Sequence, residues 1–239
     1  SFGVNPAVIS MDDYFVEREE TPLNEEGKPD YECLEAVDLK LFDNQIEKIL
    51  KGEEVVTPTY NFLTGNKEYN NKIKLGNSDV LVIEGIHALD KRVLTNISKN
   101  KIFRIYISAL TELNIDNHNY ISTTDNRLLR RIIRDNKTRG HGVQRTISTW
   151  PDVRSGEEKY IFPFQEGADV MFNSALVYEL AVLKLYAEPL LFNIPRDREE
   201  YDEAKRLLKF LDYFLAIDSD VIPKTSILRE FIGGSCLNV

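Results

Sequence analysis

Val80-Leu81-Val82-Ile83-Glu84-Gly85 is an unbroken apolar run that ends in an acid and a glycine. A strand without apolar/polar alternation reads as a parallel strand covered on both faces, and Gly85 lets the backbone turn sharply after it. Upstream, Ala7-Val8-Ile9 after Asn5-Pro6 is a second short strand, and Ser10-Met11-Asp12-Asp13-Tyr14-Phe15 closes it with carboxylates and aromatics. Downstream, Ile102–Ile107 reads as a third core strand, this time alternating.

Helical patterns separate these strands. Asp38 has the place of an N-cap for a helix through Leu50, with Leu39, Phe42, Ile46 and Ile49–Leu50 on one face and Gly52 as the stop. Further helices are expected near 123–138, 143–162, 177–191 and 198–215, with a short strand at Asp169–Phe172 and a helix junction at Trp150-Pro151. Val55–Tyr60 and Asn71–Leu75 flank Thr64-Gly65-Asn66 and read as a hairpin excursion. The fold class is therefore α/β: a parallel sheet flanked by helices, a small hairpin excursion and a helical C-terminal part. Residues 1–176 are expected to form the α/β domain. Residues 177–239 are expected to form an aromatic-rich helical extension packed on it, or an oligomer surface.

The 239 residues are 42% hydrophobic and 29% charged, the balance of an ordinary globular chain long enough for a sizeable core. No apolar run approaches the roughly 18 residues of a membrane helix, and the first thirty residues have no signal-peptide pattern. Cys33 and Cys236 lie far apart, which favours a reducing cytosol over a disulfide framework. Three histidines and two cysteines without ligand spacing argue against zinc. A net charge of −9 argues against nucleic-acid binding by the whole surface, while leaving a local basic site open.

The chemistry is expected beyond the carboxyl ends of the strands, where open α/β sheets bind ligands. Asp12 and Asp13 stand at one such end. Neighbours on an extended segment point opposite ways, so one of them faces the site, and a carboxylate beside a substrate hydroxyl orients it and takes its proton. A turn or helix cap explains the same pair. Glu84 can hold Mg²⁺, commonly through water, or act as a cap. Between Arg127 and Arg145 seven basic residues face a single acid, Asp135. On a helix Arg127, Arg130, Arg131 and Arg134 share one face opposite Leu128, Leu129, Ile132 and Ile133, and guanidinium forks suit phosphate oxygens. Arg139-Gly140-His141-Gly142 gives that helix a flexible tip, as a closing lid needs. A plain basic surface or an RNA patch remains the alternative. Tyr60-Asn61-Phe62 can stack on a base or pack the hairpin. Glu32, after Asp30-Tyr31, can accept from ribose hydroxyls. His87 and His118 suggest no partner.

In this order, Ser10–Phe15, Pro29-Asp30-Tyr31-Glu32, Pro58-Thr59-Tyr60-Asn61-Phe62, Val82–Ile86 and Arg127–Asp135 resemble the uridine kinase/phosphoribulokinase family of P-loop kinases, over residues 5 to about 175. Trp150-Pro151 through Gln165-Glu166 is similar to a bacterial uridine kinase-like subgroup, whose members often carry an N-terminal TGS-type or synthetase-like domain. The resemblance implies a P-loop kinase-like fold, ATP and Mg²⁺ as cofactors, and a nucleoside-like acceptor. It makes Asp12 the base at the 5′-hydroxyl, Glu84 the acid near Mg²⁺ and Glu32 a ribose ligand. Tyr31, Tyr60 and Phe62 would line the base pocket. Arg131 would face the nucleoside, and Arg134 and Arg139 would be lid arginines on phosphates. It also implies a cytoplasmic protein with no membrane partner, and leaves a homo-oligomer open.

Two positions depart from the family: Gly65 stands where uridine/cytidine kinases have a pyrimidine-reading histidine, and His141 where they have an arginine. His141 is retained as a substrate-side residue, but the base edge loses donors. A kinase of another small hydroxyl compound, phosphoribulokinase- or pantothenate kinase-like, therefore stays in view beside uridine. So does a non-catalytic nucleotide- or RNA-binding module. The larger departure is the phosphate loop. No G-x-x-x-x-G-K-[ST] occurs, and the one Gly-Lys pair, Gly27-Lys28, has Pro22 where the first glycine belongs. The expectation is that Ser1 is not the natural start, that the central strand bearing this loop precedes it, and that the chain alone binds ATP weakly and does not turn over.

Overall fold

The computed structural model describes residues 3–62, 64–140 and 142–237, and of Arg139 only the backbone. His141 and the Arg139 side chain thus lie outside the described residues. The chain divides into two compact units, Ser1–Tyr106 with Val153–Val170 and Ile107–Asp152 with Met171–Val239. This interleaved division differs from the expected split at 176/177.

In the first unit, β1 (Asn5–Ser10) pairs in parallel with β4 (Asp79–Glu84), in a register that sets Val8 opposite Val82 and Ser10 opposite Glu84. One face of the pair belongs to the core. Ile9 packs there, with Leu81 and Ile83 against it, together with Phe42, Ile46 and Ile49 of α1 (Leu39–Leu50). Asp38 caps α1, its side chain accepting from the Leu41 amide at 3.0 Å, and Gly52 follows in the left-handed region. Helix, cap and stop agree with the sequence reading.

The opposite face corrects it. Val8, Val80 and Val82 are 59%, 50% and 41% exposed, so the run at 80–84 is not covered on both sides among the described residues. An unalternating apolar strand tells how much surface it offers for burial, and leaves open whether anything lies on it. Gly85 does what its position requires. Its φ is +154°, and a Cβ there would meet the Met11 side chain at 2.7 Å.

The hairpin forms as expected from β2 (Val55–Asn61) and β3 (Asn66–Ile73), antiparallel, with Tyr60 opposite Lys67. Its register shifts between Thr57 and Thr59, at Pro58, which has no N–H to give the ladder. The third strand is shorter than expected. β5 (Ile105–Ser108) pairs with β6 (Val170–Asn173), and the division between units passes through both. Arg104 O accepts from Val170 N and Ser108 O from Ser174 N, so these two strands also run in the same direction. The fold is thus mixed α/β with parallel strands and helices. Its strands form separate pairs rather than one ladder among the described residues.

The second unit is helical apart from its share of β5 and β6. α2 (Thr123–Arg134) starts at Ser122, whose hydroxyl accepts from the Asp125 amide, and continues as a π-type turn over Asp135–Arg139. Gly140 ends it at φ +63°. The helix expected over 143–162 is two, broken ahead of Pro151: α4 (Trp150–Tyr160) passes into the first unit at Val153, while α3 (Val143–Ser148) stays in the second unit. α5 (Glu179–Phe192), α6 (Tyr201–Leu211) and the short α7 (Arg229–Ile232) complete it. Leu128, Leu129, Ile132 and Ile133 are buried on α2, as their spacing predicts, with Leu183 of α5 and Leu207 of α6 also fully buried. No helix among the described residues is long and apolar enough to cross a membrane.

Candidate functional site

The register of β1 and β4 brings the expected acids to one end of one strand pair. Ser10 lies opposite Glu84, and the chain leaves β1 through a single 3-10 turn, Met11–Tyr14. That turn is fixed by its buried ends: Met11 and Tyr14 face the core, and the Tyr14 hydroxyl donates to Gln45 Oε1 at 2.8 Å. Asp12 and Asp13 fall between these anchors. Asp13 accepts the Tyr60 amide at 3.1 Å, tying the turn to the hairpin. Burial raises the Asp13 pKa, the Tyr60 amide pulls it back, and the Glu84 carboxylate nearby raises it again. Asp12 and Glu84 are exposed. Of the two neighbouring aspartates, Asp13 ties the turn to the hairpin and Asp12 is exposed.

Beside them stands an aromatic cluster. Tyr60 and Phe62 meet edge to face at 5.1 Å between ring centres, and Phe15 packs on them at 5.6 and 6.2 Å. Tyr60 is buried and Phe62 exposed, so the cluster offers an open ring. Phe15, at the end of the Ser10–Phe15 stretch, joins this cluster only through the hairpin. Arg18 had no sequence signal. Its guanidinium donates to Phe62 O at 2.6 Å, and its amide donates to Gly65 O at 3.0 Å. A Cβ at Gly65, where φ is +80°, would fall 2.7 Å from Arg18 Cβ.

Glu32 is half-buried on a loop that Asp30 organises. Asp30 accepts the Glu32 amide at 3.0 Å through one oxygen and the Tyr160 hydroxyl at 3.1 Å through the other. Gly156 of α4 closes on this loop, since a Cβ there would sit 3.0 Å from Glu32 Cβ. Tyr31 is exposed. His87, three residues beyond Glu84, is buried against the Tyr160 ring at 6.2 Å. Its ring nitrogens lie near the Glu32 backbone without a well-formed hydrogen bond among the described residues. Burial lowers its pKa, against an opposing pull from the Asp90 carboxylate. Asp12, Glu84, Glu32, Tyr31, Tyr60 and Phe62, the acceptor-side residues expected from the sequence, all lie in the first unit.

The arginines belong to the second unit, and there one expectation fails. Arg130 is not on an open phosphate-binding face. It is buried, with Nε donating to Glu179 Oε1 at 2.9 Å and Nη2 to Ser174 O at 2.8 Å, and its guanidinium lies 5.1 Å from the Phe231 ring centre. A 3.6-residue repeat places four arginines within one arc but does not say where the next helix packs. Arg131 and Arg134 remain partly exposed and share Asp135, at 3.3 and 3.4 Å. Asp135 is buried, so it holds both arginines at the base of the π-type turn. Arg139 is placed by its backbone in that turn; its side chain and His141 lie outside the described residues.

Taken together these features define an α/β protein with a carboxylate pair at parallel strand ends and an arginine-bearing helix that ends in a glycine tip. The model of the phosphoribulokinase/uridine kinase family matches residues 7–181, and the chain belongs to that family. The uridine kinases of Staphylococcus haemolyticus (strain JCSC1435) and Staphylococcus aureus (strain JH9) are each 26% identical to it over 171 residues, 71% of this chain and 74% of theirs. A solved structure titled "Structure of YGR205w protein." aligns with a TM-score of 0.39 and 17% identity over 69% of each chain. Membership of the family supports phosphoryl transfer of the kinase type.

Proposed function

We propose that this chain carries the acceptor side of an ATP-dependent kinase whose substrate is a nucleoside-like hydroxyl compound. The observation that carries the reading is the pairing of β1 with β4. It sets the Asp12 turn and Glu84 at one strand end, beside the Phe15–Tyr60–Phe62 cluster. In this reading Asp12 orients the acceptor hydroxyl and takes its proton as the phosphoryl group arrives. Glu32 accepts from ribose hydroxyls, and Tyr31, Tyr60 and Phe62 line the base pocket; on the family pattern Arg131 is a nucleoside-side arginine, and Arg134 and Arg139 are lid arginines for phosphate.

Mg²⁺ fits the donor chemistry. This ion is normally held by one or two carboxylates plus substrate phosphates, and Glu84 with Asp13 close enough to feel its charge is such a set. Glu84 would hold the ion, which supplies charge neutralisation on the transferring group. Asp13 keeps its hydrogen bond to Tyr60 and fixes the turn.

Arg18 enters the same picture at the hairpin. It lies over Gly65 and bonds the Phe62 carbonyl, so the edge of a bound ring meets a guanidinium rather than an imidazole. This favours an acceptor with a carbonyl or anionic edge and keeps uridine as one candidate among nucleosides. These residues contain no Walker-type loop, and weak ATP affinity is expected of the chain alone; calorimetric titration returning micromolar affinity would contradict that.

Asp12→Asn separates a kinase from a binding module. In the gene's full-length product, assayed across nucleosides, sugar phosphates and pantothenate, turnover should fall at least about a hundredfold while acceptor affinity stays within a few-fold. Unchanged turnover, or no acceptor used by the parent protein, sinks the proposal.

A further inference from the structure

Within the second unit, the end of the arginine helix and the C-terminal turn border an open hollow of about 320 Å³. Arg134 and Thr138 line it from one side. Arg229, Gly233, Gly234 and Ser235 line it from the other. The turn is built to keep this space open. Gly233 and Gly234 have φ of +89° and +73°, and a side chain on Gly233 would collide with Lys137 Nζ. Arg229 shapes the turn rather than the contents. Its guanidinium donates to the carbonyl oxygens of Gly233 and Ser219, at 3.2 and 2.9 Å, and also to those of Pro223 and Ile222.

What remains for a ligand is positive. Lys137 has no ion pair among the described residues, and Arg134 reaches only Asp135, at 3.4 Å. The amide groups of Gly234 and Ser235 donate to nothing among the described residues. Successive free amides in a turn with positive φ form an anion-binding concavity, and a lysine and an arginine beside them add fixed charge. Glu230 is the one acid in the lining. No aromatic ring lines the space, which argues against a stacked single strand of nucleic acid.

We propose that this hollow binds the di- or triphosphate group of a nucleotide, with Arg134 and Lys137 as its cations and the Gly234 and Ser235 amides as its backbone donors. The choice of a nucleotide over other polyanions rests on the kinase reading; the polyphosphate site itself does not. It makes the C-terminal Gly-Gly-Ser turn part of the phosphate machinery, although it lies some fifty residues beyond the matched family segment.

The test is calorimetric titration of the whole chain with sodium tripolyphosphate, ATP and an oligouridylate. Parallel titrations use Lys137→Gln, Arg134→Gln and, as a charge control on α6, Lys205→Gln. Thermal melts confirm that each variant is folded. Tripolyphosphate and ATP should bind one to one and compete. Lys137→Gln and Arg134→Gln should each weaken both about tenfold or more, the loss of one charge-assisted contact, with Lys205→Gln unchanged. Equal weakening in all three variants, no binding of tripolyphosphate at roughly millimolar concentration, or oligouridylate binding that tripolyphosphate fails to displace would overturn the site. If Asp12→Asn leaves turnover untouched while Lys137→Gln still loses tripolyphosphate, the kinase reading fails and the site stands.

Discussion

Removing Arg130 should destabilise the second unit rather than empty a phosphate site, and the size of the effect follows from the local geometry. Arg130 and Glu179 are 8% and 2% exposed. The guanidinium forms a two-pronged pair with the carboxylate and also reaches the Ser174 hydroxyl and carbonyl. The same carboxylate accepts the Leu176 amide at 2.8 Å, just ahead of α5. Arg130→Met leaves a buried carboxylate with one backbone donor, and Glu179→Leu leaves a buried guanidinium held only by Ser174. Breaking a buried pair from one side costs about 3–5 kcal/mol, whereas replacing both partners with apolar groups of similar size is often close to neutral. Each single variant should therefore lose about 3–5 kcal/mol in urea unfolding. The double variant should lose less than either, retaining about 1–2 kcal/mol of loss for the orphaned Leu176 amide. Because α2 packs on both α5 and α7, the loss should appear in one cooperative transition of this unit. Polyphosphate affinity, measured on folded protein in buffer, should hold within about threefold, because no Arg130 donor faces the Gly234 turn. An Arg130→Met protein that keeps its stability and loses phosphate affinity would refute the reasoning and restore the open arginine face.

Two further outcomes follow from the first unit. Burial against Tyr160 lowers the His87 pKa and outweighs the Asp90 carboxylate, while Arg92 lowers it further and Glu35 and the Glu32 backbone raise it. With the folded pKa below the ordinary value of 6.5, the unfolded chain binds the extra proton first. Stability should therefore decline as pH falls below about 6.5 and level off beneath the folded pKa. Denaturant midpoints at pH 7.5 and 5.5 should differ less in His87→Leu than in the parent, and an identical difference in both removes His87 as the cause. Gly65→Ala forces a Cβ into a left-handed position 2.7 Å from Arg18 Cβ. It should cost about 1–2 kcal/mol by thermal or urea unfolding and displace Arg18 from the Phe62 carbonyl, whereas a neutral result would show that the hairpin tip shifts freely.

Much of this was legible in the chain itself, because local chemistry decides it. Asp38 caps and Gly52 stops α1; Pro58 interrupts the hairpin ladder; the Leu/Ile stripe of α2 is buried. Each depends on a few neighbouring residues and on a periodicity that survives any tertiary arrangement. The ordered motifs, read with their spacing, pointed to the family that residues 7–181 match. The Asp12–Asp13 turn, Glu84, Tyr60 and Phe62 stand at strand ends and a hairpin placed by register, and register follows the apolar pattern.

Tertiary structure alone decided which side chains are buried and what they pair with. Asp12 and Asp13 are indistinguishable as letters, yet only Asp13 meets the Tyr60 amide. Four arginines share an arc of one helix, but Glu179, forty-nine residues on, takes Arg130 out of solvent. The Val80–Glu84 run offers apolar surface on both sides, and α1 covers only one of them among the described residues. The Gly233-Gly234-Ser235 turn has no meaning in sequence until Lys137 lies against it. In each case the deciding partner is remote along the chain. A linear pattern records the propensity of a segment, whereas burial and pairing are properties of whatever packs against it.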